Sequence, residues 1–371
     1  MNATCRLLLF FLILWGTYAH AGETVITDLA GREVTVPDKV ERILLGEDRF
    51  IHALAILERP DPLARVAAML GQFRELDPVT YAQYQERFPH LAEVTRVGHT
   101  SAASFSVEQA IAAQPDIAFL GLIGHGPTVE DRATVARLER AGITVVFVDF
   151  RKDPLANTPR SIEVMGKVLG RTQEAEEYLD FYRSEMARVL DVIEARQPRS
   201  PTVFIESRVG FAEGCCETMV NGMLGQFVDR LGGRNLAQGL IPGTHGVVSL
   251  EFLLSEQPDV YIATAIGTNA DGPRTPYIAL GAGVDSERAY ASLDRAMQRR
   301  GIAQLESVRA ERAHAIWHTF YDSPFNVVAV QVFAQWLYPG LFPDLDPRAT
   351  HEEIFARFQP VPLDGTYWIS L

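Results

Sequence analysis

Three sets of side chains in this sequence could do chemistry. Cys215 and Cys216 are adjacent, so they cannot staple distant segments; they can close a vicinal disulfide, stay as thiols or bind something soft. With Gly210 and Gly214 beside them, and a helix expected to begin near Glu217, their loop could form a donor-rich nest for carboxylates or oxyanions. The second set is imidazole and phenol, at His99, His125, His318 and Tyr321. No two of these histidines have a spacing specific to a metal site, and each would serve equally as a solvated loop residue. The third set is cationic: Arg49, Arg151 and Arg208 could grip an anion or bridge neighbouring segments. Asp149 and Glu206 could be paired with His99 and His318 as acid and base, yet no spacing demands it. The sequence has no Gly-x-Ser-x-Gly elbow, no His-Glu-x-x-His pair and no Gly-x-Gly-x-x-Gly turn after its first strand. Binding therefore fits better than catalysis, with a secreted α/β enzyme as the competing class.

The segments that position these residues begin with an export signal. Arg6 precedes an apolar run over residues 7–15, and Ala19-His20-Ala21 places small residues where a signal peptidase cuts. Residues 1–21 read as a signal peptide, with Gly22 first in the mature chain. The run is too short to span a bilayer, which takes roughly 20 apolar residues. Cys5 lies before the run rather than after it, so lipidation is not expected. Asp and Glu number 47 against 34 Lys and Arg, a formal net charge of −13 without a basic cluster. That excludes a nucleic-acid partner, whose phosphates require a basic footprint.

An internal repeat organises the rest. Ser106, Glu108, Gln114, Pro115 and Asp116 recur as Ser249, Glu251, Gln257, Pro258 and Asp259, at a constant offset of 143 residues. Both serines are candidate N-caps, and both glutamates fall in a first turn, where the helix dipole favours an acid. Each proline ends its helix, and a buried strand follows at 117–120 and 260–263. These strands run into glycine-containing loops at 121–127 and 267–273. Two copies of a helix–strand–loop unit imply two similar lobes.

Around the first copy, Gly31-Arg32 reads as a hairpin turn, 42–45 as a strand and 50–57 as a helix. Residues 129–141 follow as a helix and 143–148 as a strand. Strands alternating with helices in this way indicate parallel α/β packing. A short helix at 161–169 precedes a long one over 172–195, with Thr172 as its N-cap and a length of roughly 35 Å. One rigid helix between lobes predicts a stiff molecule with modest closure. The second lobe is expected to hold a strand at 202–206, helices at 219–231, 285–300 and 323–337, a strand at 315–317, and a tail in which Tyr367 and Trp368 pack back.

In this order the marks Gly31-Arg32-Glu33-Val34, the two Glu…Pro-Asp units, Leu231-Gly232-Gly233-Arg234-Asn235 and Ser323-Pro324-Phe325-Asn326 through Trp336-Leu337-Tyr338-Pro339 are informative. The chain resembles the siderophore, haem and cobalamin class of periplasmic substrate-binding proteins over nearly all of its mature length. The resemblance implies an α/β fold of two Rossmann-like lobes with mostly parallel sheets, joined by a single long helix. The lobes would span 22–153 and 199–371, with the linker at 154–198. It further implies a monomer in the periplasm that passes a small-molecule ligand from its cleft to the permease dimer of an ABC importer, with no prosthetic group. One surface acid per lobe would engage the permease, and Glu108 and Glu251 occupy the matching repeat positions.

Loops at the carboxyl ends of the strands would line the cleft. Arg49, Arg151 and Arg208 would face an anionic iron chelate, with Phe50, Phe150 and Phe211 covering its apolar rim. His99, His125, Cys215 and Cys216 would also contact the ligand, while the Tyr321 phenolate, with His318 near it, could complete a ferric coordination shell. A nickel-like or weakly chelated metal, an oxyanion, or a metallochaperone working without an importer are the alternatives.

Overall fold

The computed structural model describes residues 24–211, 214–266 and 277–371. The expected signal peptide and the loop at 267–273 lie outside these residues. The first described strands, β1 (Thr24–Thr27) and β2 (Glu33–Val36), form an antiparallel hairpin. Its turn is fixed by the buried Asp28 carboxylate, which accepts from the Ala30, Arg32 and Phe147 amides and from Arg32 Nε. Arg32 in turn donates to Val145 O and lies over the Phe147 ring, so the Gly-Arg turn clamps the hairpin to the first lobe.

That lobe is a parallel five-stranded sheet ordered β5-β4-β3-β6-β7. Its strands are β3 (Ile43–Leu45), β4 (Val66–Met69), β5 (Thr95–Arg96), β6 (Ile117–Gly121) and β7 (Thr144–Val148). The second sheet contains β8 (Thr202–Glu206), β9 (Glu217–Met219), β10 (Arg234–Asn235), β11 (His245–Val247), β12 (Val260–Ala265), β13 (Ala313–Trp317) and β14 (Trp368–Ser370). Strands β10, β8, β12 and β13 run parallel, and β9, β11 and β14 are antiparallel additions at the edges. Pairing of β14 with β13, with Trp317 N donating to Tyr367 O, is the expected return of the tail.

The repeat holds down to single atoms. Ser106 Oγ and Ser249 Oγ each accept from the amide three residues on, capping the helices Val107–Ala112 and Leu250–Glu256. Gln114 and Gln257 end these helices with left-handed φ of 48° and 47°. The aspartates that follow tie down the start of the adjacent strand: Asp116 accepts from the Glu41 and Arg42 amides, and Asp259 from Thr202 N and Oγ1.

The long helix spans Thr172–Arg196. Thr172 is not its cap; Arg171 holds that position without a side-chain bond. The preceding helix is longer than expected, Pro154–Leu169, because Asp153 caps it and Pro154 occupies its first turn, while Pro159 is accommodated inside. A Cβ on Gly166 would lie 2.7 Å from Ala175 Cβ, so glycine allows the two helices to approach. Tyr178 Oη donates to Pro324 O and Tyr182 Oη to Asn326 Oδ1, while Asn326 Nδ2 reaches Thr158 Oγ1. These buried bonds pin the long helix to the second lobe's helix Asn326–Leu337.

One expected helix, 219–231, is wrong. Residues 217–219 form β9, paired with β11, and helix begins only at Gly225–Arg230. Met223 adopts a left-handed φ of 49° and the chain doubles back, so that a Cβ on Gly225 would collide with the Val220 carbonyl. Apolar periodicity cannot distinguish that folded-back segment from a helix. Other helix ends shift more modestly, to Arg132–Arg140, Ser286–Met297 and Asn326–Leu337, the second capped by Asp285. Strands β4 and β5 and the helix Pro78–Arg87 had no sequence expectation.

Buried histidines give the fold a defined acid sensitivity. His351 is enclosed by Phe320, Phe355 and Tyr367, and burial pushes its pKa down to about 3. The unfolded chain then binds the proton first as pH falls below about 6.5, so this group removes stability on acidification, by about 1.4 kcal/mol per pH unit. His351→Leu is expected to flatten the stability–pH curve by roughly that slope between pH 6 and 4, read by urea denaturation. An unchanged slope would rule out a neutral buried imidazole.

Candidate functional site

Four charged groups meet where the two lobes face each other. Glu47 and Arg49 follow β3, Arg151 follows β7, and Asp322 follows β13. Arg49 NH2 lies 2.8 Å from Glu47 Oε1 and its NH1 2.6 Å from Asp322 Oδ2. Arg151 NH2 lies 2.6 Å from Glu47 Oε1 and 2.8 Å from Asp322 Oδ2, and its NH1 donates to Tyr321 Oη at 2.8 Å. All four side chains are at most 6% exposed. Burial alone would raise Glu47, but Arg151 and Arg49 outweigh it and hold its carboxyl below the usual range. Asp322 moves the other way, because burial dominates over the same two arginines and neither of its oxygens gains a well-formed hydrogen bond.

Above this cluster lies a cleft of about 710 Å³ lined from both lobes. The first lobe contributes Arg49, Leu76, Thr100, Ile123, His125, Arg151 and Lys152. The second contributes Ser207, Arg208, Phe211, Glu217, Met219, Met223, Thr244, His245, Ile266, His318 and Tyr321. Arg208 pairs with Glu217 at 2.5 Å, and its guanidinium is partly exposed. Burial, reinforced by Arg151, pushes His125 down to about 3; burial and Arg208 push His318 well down. Both imidazoles are therefore neutral near pH 7 and add no positive charge. Burial also raises the Tyr321 phenol against the pull of Arg151.

The structure thus brings together Arg49, Arg151, Arg208, His125, His318, Phe211 and Tyr321, but not every residue expected with them. Phe50 is core rather than cleft, buried against Phe150, because the helix Ile51–Leu57 turns it inward. His99 points outward beside Glu75, and Thr100 takes the place at the cleft. Cys215 and Cys216 are bonded to each other and stand outside the cleft lining. The nest proposed around them lacks its helix, since Glu217 begins a strand. Arg49 and Arg151 are not free cations, since acids already neutralise them. Asp149 and Glu206 are structural: Asp149 accepts from the amides of residues 151–153, and Glu206 pairs with Arg299.

Leu76, Glu217, Met219, Met223, Thr244 and His245 line the cleft without an expectation from the sequence. Lys152 closes the loop after the 143–148 strand, where a cleft contact is expected; Met219 and Met223 fall in the expected 219–231 helix but before its observed start at Gly225, and His245 falls in no expected element. Glu108 and Glu251 are both exposed on their repeat helices, and Glu108 pairs with Arg137 at 2.6 Å. Among the described residues, no group of three or more His, Cys, Asp or Glu side chains could hold a metal ion, and no helix is long and apolar enough to cross a membrane.

Asp322→Ala would leave two buried guanidinium groups facing a single carboxylate. We expect it to destabilise the protein by about 3–5 kcal/mol in urea denaturation. A loss below about 1 kcal/mol would mean that water reaches and screens the cluster.

Residues 63–311 match a family model described as periplasmic binding protein. No curated protein matches the chain. Among solved structures, the TroA-like periplasmic binding protein FepB from Veillonella parvula superposes with a TM-score of 0.83 at 24% identity, covering 94% of this chain and 99% of that one. The molybdate-binding MolA of Haemophilus influenzae gives 0.67 at 16% identity, with 92% and 100% coverage. Helicobacter pylori CeuE with Ni(II) bound gives 0.67 at 13% identity, with 91% and 97% coverage. At these identities the likeness establishes the fold.

Proposed function

Because the chain belongs to the periplasmic binding protein family, whose members bind solutes for ABC transporter permeases, we propose that it captures an anionic metal chelate of ferric-siderophore size in its interlobe cleft. The observation that carries this reading is the cleft itself. Its volume of about 710 Å³ suits an organic ligand, since small-molecule sites run to roughly 300–1,000 Å³. A bare ion would leave most of that space to water. Leu76, Ile123, Phe211, Met219, Met223 and Ile266 offer apolar surface to a chelator's body, while Lys152 supplies charge where solvent still reaches and the partly exposed Arg208, shared with Glu217, supplies further donors. The buried arginines below serve mainly to hold the floor in place.

On this reading residues 1–21 export the chain to the periplasm, where it works as a monomer. Glu108 and Glu251, equivalent through the repeat, are its contacts with a two-fold permease. The exposed Glu108–Arg137 pair is no obstacle, because exposed ion pairs contribute only about 0–1 kcal/mol.

Tryptophan fluorescence titration of the purified protein with ferric siderophores, haem, cobalamin, nickel(II) and molybdate tests the ligand class. Sub-micromolar binding of at least one ferric chelate is expected, and Lys152→Ala with Arg208→Ala should weaken it about ten- to a hundredfold. Tight binding of nickel(II) or molybdate alone would replace this reading with the free-ion one. For docking, Glu108→Lys combined with Glu251→Lys should abolish uptake in cells and leave ligand affinity intact; normal uptake would remove both residues from the interface.

A further inference from the structure

His318 lies in the cleft with its hydrogen-bonding state already decided on the side away from the cavity. It is 7% exposed, and its Nδ1 is 2.9 Å from Thr264 Oγ1. That hydroxyl, on a fully buried threonine, also accepts from the Arg208 amide at 2.8 Å. A hydroxyl has one hydrogen and two lone pairs. With the amide hydrogen already received, the remaining hydrogen of Thr264 has His318 Nδ1 as its acceptor among the described residues. The opposite tautomer would point two hydrogens at Thr264 Oγ1 and leave the hydroxyl's own hydrogen without an acceptor among the described residues, which buried hydroxyls avoid. An imidazole whose Nδ1 accepts a hydrogen bond is neutral and carries a single hydrogen. That hydrogen is on Nε2.

Tyr321 packs edge-on against His318, with ring centroids 5.3 Å apart, and its oxygen is likewise committed. Arg151 NH1 donates to it at 2.8 Å, so the phenol's own hydrogen must be directed elsewhere. The residue is 2% exposed and lines the same cavity.

We infer that the floor of the cleft reads its ligand through hydrogen-bond donors, the Nε2–H of His318 locked by Thr264 and the O–H of Tyr321, each directed at ligand oxygens rather than at a metal. The inference rests on the chelate reading above and narrows it. The cargo is a complex whose metal is already fully coordinated and whose oxygens face outward. A nitrogen carrying hydrogen has no lone pair to offer a metal ion, and a phenol oxygen that already accepts from Arg151 presents its hydrogen outward. Specificity then lies in the pattern of acceptor atoms on the ligand's surface.

Long-range ¹H–¹⁵N correlation on the ¹⁵N-histidine-labelled protein reads the tautomer without any ligand, and His318→Gln identifies the signal. The expected result is a protonated Nε2 and a bare Nδ1, shifting to a mixture of tautomers in Thr264→Val. A protonated Nδ1 in the unaltered protein would overturn the inference. In a second arm, ferric complexes of a hexadentate tris-catecholate and a tetradentate bis-catecholate are titrated. Binding of the hexadentate complex with an unchanged visible spectrum is expected, weakened about ten- to a hundredfold in His318→Leu and Tyr321→Phe. His318→Gln, which keeps an N–H donor, should stay within about threefold of the unaltered protein, a separation that simple loss of packing would not produce. A new tyrosinate-to-iron band on binding the tetradentate complex would show direct ligation and defeat the proposal. If no chelate binds at all, the chelate reading fails, and the tautomer measurement still decides the state of His318.

Discussion

Two guanidinium groups and two carboxylates can be buried together only if they stay together, and the architecture around the cleft depends on that constraint. Glu47, Arg49 and Arg151 come from strand ends of the first lobe, Asp322 from a strand end of the second. Any relative movement of the lobes that parted Asp322 from the arginines would strand charge in a poorly hydrated interior, at a penalty of several kcal/mol. The cluster therefore acts as an electrostatic register between lobes. The long helix supplies the mechanical counterpart through its tyrosine bonds to Pro324 O and Asn326, only a few residues after Asp322.

The same constraint shapes what the cleft offers a ligand. Because the arginines at the base are matched by acids, the floor is close to neutral despite its basic composition, and the neutral imidazoles add nothing to its charge. Long-range attraction falls to Lys152 nearer the solvent, since Arg208 is itself matched by Glu217, while the floor works at short range through directed hydrogen bonds. Separating attraction from discrimination in this way is physically economical, since rim charges chiefly speed encounter and buried polar groups discriminate between partners.

Much of the fold was legible because its signals are local. Serine caps, prolines that end helices and aspartates that pin adjacent strands act within a few residues or one strand spacing, and they survive in both copies of the repeat. The long helix, expected over 172–195, is found over Thr172–Arg196, because its apolar stripe outweighs the absence of a cap at Thr172. The failures occurred where a non-local partner overrode a local pattern. Residues 219–231 carry apolar spacing suited to a helix, yet β11, more than twenty residues away, recruits 217–219 as a strand and the chain turns before helix begins at Gly225. Phe50 follows an arginine that faces the cleft and still turns into the core, because the direction of the next helix decides its side.

By itself the sequence determined the two-lobed α/β plan, the repeat that relates the lobes, the connecting helix and most of the loops that reach the cleft. These follow from short-range backbone preferences and from burial of apolar stripes, which a linear pattern encodes directly. Only the tertiary structure decided what those loops do: that Arg49 and Arg151 are spent on Glu47 and Asp322, that the cysteines pair with each other outside the cleft, and that Thr264 fixes the hydrogen of His318. A side chain's charge, tautomer and freedom to bind depend on which groups lie within about 3 Å of it. In this molecule those groups come from strands as much as 275 residues apart, such as Glu47 and Asp322 around the same two arginines.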